Sequence, residues 1–121
     1  MNRRMVARLA LREGKKILGI EKVRIHFTWD ARASMGKCLL HKGGRGVPDI
    51  IINTGHPEHR DSPVEVVDTV LHELRHVMQA QRGVKDSMND VGYLDSIHEV
   101  DARDFAARWR DEVYKRVVRE L

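Results

Sequence analysis

His72, Glu73 and His76 stand in the pattern H-E-x-x-H, and these residue types at this spacing suit one kind of chemistry. On a helix, residues four apart emerge on the same side about one turn from each other, so two imidazoles can grip one small cation. Glu73 lies about 100° around the helix from His72. There it can act as a base toward a water at the metal without being a ligand itself. Imidazole and carboxylate donors with one position left open favour zinc, so one Zn2+ per chain is expected. The competing account is a chance grouping on a solvated helix face. Against it, the motif lies on the flank of an apolar stripe, where ligands can face a cleft while the helix stays anchored. Arg75 points away from that side and is expected to be solvated.

A catalytic zinc takes a third protein ligand, and the next helical segment offers His98, Glu99 and Asp101. On its helical wheel His98 and Glu99 flank the apolar stripe at roughly 50° on either side, whereas Asp101 falls well outside it. His98 and Glu99 both remain candidates. Ser96-Ile97-His98-Glu99 also reads as a capping box, with Glu99 folded back onto the serine amide. Tyr93 or His98 could donate to the oxyanion of a tetrahedral intermediate. His26, His41, His56 and His59 read as ordinary surface or satisfied histidines.

These residues need a scaffold, and the chain spells one out. Val6, Leu9, Ala10 and Ile17 fall on one side of a helix from Asn2 to about Leu18, with Arg3, Arg4, Arg8, Arg12 and Lys15 around the rest and Gly19 as its stop. Val23, Ile25 and Phe27 alternate with polar residues as in a half-buried strand, and a second short strand is expected from Lys37 to His41. The Gly43-Gly44-Arg45-Gly46 cluster breaks that pattern, and Asp49 to Asn53, with Ile50-Ile51-Ile52, suits a third strand. Gly55, Pro57 and Pro63 mark a loop. Ser62-Pro63-Val64-Glu65 then combines an N-cap serine, a first-position proline and a third-position glutamate. The helix it opens runs to about Arg82, with Val67, Val70, Leu71, Leu74, Val77 and Met78 inward and Gly83 as its stop. Residues 84 to 95 read as a loop, and Ser96 begins a last helix with Ala102, Phe105, Ala106, Trp109, Val113 and Val117 on one face. The expected fold class is α+β: an N-terminal helix, a small three-stranded sheet, the central H-E-x-x-H helix and a C-terminal ligand-bearing helix.

With 121 residues, 41% apolar and 33% charged, the chain is the size of one domain with a modest aliphatic core, so 1–121 is read as a single unit. No apolar run approaches the roughly 20 residues of a membrane span, and the start lacks a secretory apolar stretch. A cytoplasmic protein without a membrane partner is expected. The lone Cys38 fits a reducing compartment and small-residue packing. Residues 1–48 carry a net +9 and residues 49–121 a net −5. The basic half either pairs with acids across the fold or attracts an anionic partner such as nucleic acid. No nucleic-acid motif accompanies it.

His72 to His76, followed after a loop by Glu99-Val100-Asp101-Ala102-Arg103-Asp104-Phe105-Ala106, resembles the gluzincin-type metallopeptidases, especially the ImmA/IrrE-like group. In that group an E-x-x-A-x-x-F-A helix after the H-E-x-x-H helix carries the glutamate that completes the zinc site. The likeness covers about residues 62 to 110. It implies a zincin-like fold, a peptide or protein substrate, His72, His76 and Glu99 as zinc ligands, and Glu73 as general base in peptide-bond hydrolysis. Where the group usually has asparagine this chain has Arg103. Gln79 and Arg82 occupy the places of the metzincin glycine and third histidine. Trp29, Arg32, Gly36-Lys37-Cys38 and Ile50-Ile51-Ile52-Asn53 are more weakly similar to SprT-like peptidases, whose third ligand is a histidine, as His98 would be.

The Ile50 to Asn53 strand, if it lies at a sheet edge beside the cleft, would pair with an extended substrate through the main chain of Ile51 and Asn53. Two other function classes compete. One is a non-catalytic binding module with a structural metal or none. The other is a protease brought to its target by nucleic acid held on the basic half.

Overall fold

The computed structural model describes residues 2–40, 46–82 and 97–121. Its first helix, α1 (Arg3–Leu18), starts where the Asn2 side chain accepts the Met5 amide at 3.1 Å, and it stops at Gly19, whose φ of 70° is the left-handed conformation glycine tolerates. The helix buries Val6, Ala7, Ala10, Glu13 and Gly14, so its inner face is rotated from the expected one and Leu9 is only partly covered. The reason is close approach. A Cβ at Gly14 would sit 2.6 Å from Leu74 Cδ1, so only small residues fit along that line.

The strands are β1 (Arg24–Thr28), β2 (Gly36–Leu39) and β3 (Asp49–Asn53). They form one mixed sheet in the order β1-β3-β2, with β1 parallel and β2 antiparallel to β3. Ile25, Ile50 and Cys38 share a row, as do Phe27, Ile52 and Gly36, and period-2 alternation turns both rows to the helices. Asp49 lies on the opposite face, where Arg24 Nε and His26 Nε2 reach it at 2.8 and 2.7 Å. These hydrogen bonds, from His26 and then Arg24, lower its pKa to about 2. His41 and the glycine cluster at 43–44 lie outside the described residues.

The sheet order corrects the expectation for the substrate strand. β3 is the central strand, and its main chain is engaged on both sides: Ile51 pairs with His26 and Lys37, and Asn53 pairs with Thr28. Hydrophobicity explains the outcome, since Ile50 and Ile52 are wholly buried and the most apolar strand takes the middle. The Asn53 side chain is a local organiser. Its oxygen accepts the Asp30 and Gly55 amides at 3.0 Å, and its nitrogen donates to the carbonyls of Asp30 and Ser34 at 2.6 and 3.1 Å.

The stretch expected to be a loop before Pro63 holds a short helix, α2 (Pro57–Asp61), capped by His56 Nδ1, which accepts the Glu58 amide at 3.1 Å. Five residues are too few to show a helical period. α3 (Pro63–Gln81) begins as expected with Ser62 at the cap and Pro63 at the first position, although the serine side chain makes no capping bond. Its stop falls on Arg82, and Gly83 lies outside the described residues. α4 (Ile97–Glu120) buries Ala102, Phe105, Ala106, Val113 and Val117.

α3 is the hub, packing against α1, α4, β2 and β3, with Val67, Val70, Leu71, Leu74 and Val77 fully buried. The class is α+β. Some charge does pair across the fold, with Arg12 to Glu120 at 3.3 Å and Arg116 to Glu13 at 3.7 Å. Among the described residues no helix is long and apolar enough to cross a membrane.

Candidate metal centre

Leu71 and Leu74 fix the rotation of α3 in the core, and the intervening and following turns then bring His72 and His76 to its α4 side. Their Nε2 atoms are 3.2 Å apart. Two nitrogens bound tetrahedrally to zinc at about 2.0–2.1 Å each would be roughly 3.3 Å apart, so this pair is spaced for one ion. One donor atom each from His72, Glu73 and His76 lie within 4.8 Å of one another.

α4 delivers the third group. Glu99 Oε1 lies 2.6 Å from His72 Nε2 and Oε2 lies 2.9 Å from His76 Nε2. Of the two residues left open by wheel geometry, Glu99 thus meets both imidazoles, while His98 gives its main-chain carbonyl to Gln79 Nε2 at 2.9 Å. Tyr93 and the Ser96 capping box lie outside the described residues. The Glu99 side chain is 5% exposed, against 17% for His72 and 14% for His76. The carboxylate closes the inner side and the imidazoles reach solvent.

The hydrogen-bonding roles decide whether the donor set suits a cation. His76 Nδ1 donates to Gln79 Oε1 at 2.9 Å. In the neutral ring Nε2 then carries the lone pair. It faces Glu99 Oε2 acceptor to acceptor, a contact that only a cation or an added proton makes attractive. Two imidazole nitrogens and a carboxylate are zinc's preferred hard and borderline donors. The residues fit the group.

Glu73 is 5% exposed. Burial, reinforced by the charge of Glu99 and opposed by His76, pushes its carboxyl up to about 7. Burial also lowers the pKa of His72, against the pull of Glu99. Cys38, on the β2 row facing α3, has its thiol pushed up to about 12 by burial, with the charges of Glu73 and Asp49 adding to it. At neutral pH it is a packed thiol with little nucleophilic character.

These positions fall inside a stretch that matches a family model. Residues 58–117 are similar to the family described as "Protein of unknown function (DUF3920)". The matched stretch is just under half of the chain, and it contains α3, His72, Glu73, His76 and Glu99. No curated protein and no solved structure matches the chain.

Three residues of this neighbourhood were misread or passed over in the sequence. Arg75 is not simply solvated: its Nε and terminal nitrogen grip Asp101 at 2.8 and 3.1 Å, and its guanidinium lies 5.1 Å over the Phe105 ring. Asp101, set aside as a ligand by its wheel position, is this arginine's partner, and that hydrogen bond leads the causes that lower its pKa. Gln79 links His76 to His98 and Asp101. Its only sequence signal is its place one turn beyond His76.

Proposed function

We propose that this chain is a zinc-dependent metallopeptidase with a minimal zincin-like fold, with His72, His76 and Glu99 as ligands and Glu73 as general base. The observation that carries the reading is the convergence of two imidazole Nε2 atoms and both oxygens of one buried carboxylate from another helix, with distances of 2.6–3.2 Å. When bound, zinc would supply Lewis acidity for attack of water on a carbonyl.

The chain's own residues account for the proton. Glu73 stands beside the two imidazoles, with donor atoms of all three residues within 4.8 Å of one another, so its carboxyl can reach a water held there. Its carboxylate takes a proton from the attacking water as the oxygen–carbon bond forms. It returns that proton to the amide nitrogen as the carbon–nitrogen bond breaks. β2 replaces β3 as the strand that aligns substrate. Among the described residues it pairs only with β3, and Gly36 is packed so tightly on α3 that a Cβ there would meet Thr69 Cγ2 at 2.7 Å. Among the described residues its outer edge carries no further strand, which suits pairing with an extended peptide.

A second reading has one observation in its favour. Trp29 is 70% exposed and lines a surface cavity of about 630 Å³ with Asn2, Arg3, Arg4, Thr54 and Arg60. Such a surface suits a binding module for an anionic partner. Glu73→Gln separates the two. The peptidase reading predicts that the variant keeps its metal and loses about 10²- to 10⁴-fold in hydrolysis of unfolded protein substrates. Parent protein that holds metal yet hydrolyses no peptide bond would leave the metal structural and favour the binding module.

A further inference from the structure

Gln79 is 6% exposed, and its amide has partners on both helices that carry the metal-site residues. The nitrogen donates to the His98 carbonyl and to Asp101 Oδ2, each at 2.9 Å. Both partners are acceptors, so this end of the amide must be the nitrogen. The oxygen is thereby turned to His76 Nδ1 at 2.9 Å, and a carbonyl oxygen only accepts. His76 must therefore carry its proton on Nδ1, and the neutral ring presents a lone pair at Nε2, the atom that faces His72 and Glu99.

The same amide also controls distance. The His98 carbonyl belongs to the peptide unit that leads into Glu99, so its hydrogen bond sets where the first turn of α4 sits relative to His76. Asp101 supports the amide from one side and is itself held by the two-pronged contact from Arg75 on α3. The ligand-bearing helices are thus tied together by polar groups as well as by apolar packing. The packing alone would leave the rotation of His76 about its side-chain bonds open.

We infer that Gln79 is a positioning residue that fixes the His76 tautomer and holds Glu99 at the distance the ligand set requires, an inference that rests on the metal-site reading above. Gln79→Met keeps length and helix propensity but removes both ends of the bridge. Gln79→Glu keeps an acceptor for Nδ1–H and loses the donors toward His98 and Asp101.

The test pairs ¹⁵N imidazole shifts of metal-free protein, at a pH where the rings are neutral, with zinc competition against a chromophoric chelator. The expected result is an Nδ1–H signature for His76 in the parent and in Gln79→Glu, and its loss in Gln79→Met together with about 10- to 100-fold weaker zinc binding. Gln79→Met with the parent's tautomer and the parent's zinc affinity would overturn the inference. Should Gln79→Met not fold, Gln79→Asn, one methylene short of both partners, is read the same way. If the parent takes up no zinc, the metal reading fails by itself, and the tautomer decides on Gln79: an Nδ1–H signature lost in Gln79→Met sustains the bridge, and an unchanged one rejects it.

Discussion

Two groups of histidine meet at α3, one buried and one partly exposed, and they are built on opposite principles. His59, on α2, is fully buried: its Nδ1 donates to the Asn53 carbonyl at 2.6 Å and its Nε2 lies 2.8 Å from the Thr69 hydroxyl, which also reaches the Glu65 carbonyl at 3.0 Å. Every group that touches its ring nitrogens is neutral. At His72 and His76 the ring nitrogens instead converge on each other and on a carboxylate. The first arrangement has only neutral partners and joins the end of β3 to α2 and α3. The second sets ring nitrogens and carboxylate oxygens face to face, an arrangement that a cation or an added proton would bridge. His59 is wholly buried among neutral partners, whereas His72 and His76, 17% and 14% exposed, share a carboxylate.

The sharpest way to break this contrast is to exchange the consequences of mutation. Glu73→Gln should remove hydrolysis by about 10²- to 10⁴-fold in peptide-cleavage assays while leaving metal content and thermal stability near the parent's. His59→Ala should do the reverse. It deletes a filled volume and two hydrogen bonds in the core, and a loss of about 2–4 kcal/mol in urea unfolding is expected. Such a variant should still take up zinc under conditions where it is folded. A His59→Ala protein as stable as the parent would show that the neutral histidine is not the structural joint described.

Acidification sharpens the same contrast. Burial lowers the pKa of His59 below its ordinary 6.5, so between the two values the unfolded chain binds more protons than the folded one. Stability supplied by neutral His59 is therefore full above 6.5 and falls as pH drops below it. His59→Gln should flatten that part of the stability–pH curve in chemical denaturation at fixed ionic strength. A slope identical to the parent's below pH 6.5 would remove His59 from the account.

The smallest expected effect is on the exposed side of the sheet, at a third kind of histidine. His26 pairs with Asp49, whose carboxyl is lowered from 3.8 to about 2. That contribution is present above 3.8 and lost as pH falls toward 2. Asp49→Asn should flatten the acid dependence in that window and lower stability modestly at neutral pH, where the same contribution is present.

Much of this was legible in the sequence, for identifiable reasons. α1, α3 and α4 are long enough to display a period, and Pro63 and Gly19 mark boundaries that backbone chemistry enforces. His72, Glu73 and His76 were legible because their relation is local, within one turn. Glu99 was narrowed to two candidates by its wheel position, and only its contacts with both imidazoles single it out. What stayed hidden depends on partners distant in sequence. β3 became the central strand because of a parallel pairing with β1 that no local pattern encodes. Arg75 found Asp101 on another helix, and Gln79 gained its role only once α4 lay beside it. α2 was missed because one turn of helix carries no period.

The most direct measurement is metal content by elemental analysis on purified parent protein, His76→Ala, Glu99→Ala and the surface control His26→Ala, after dialysis against zinc and then buffer. The account predicts about one zinc per chain in the parent and in His26→Ala, none in His76→Ala and a marked loss in Glu99→Ala. No zinc in the parent, or equal zinc in all four proteins, would contradict it.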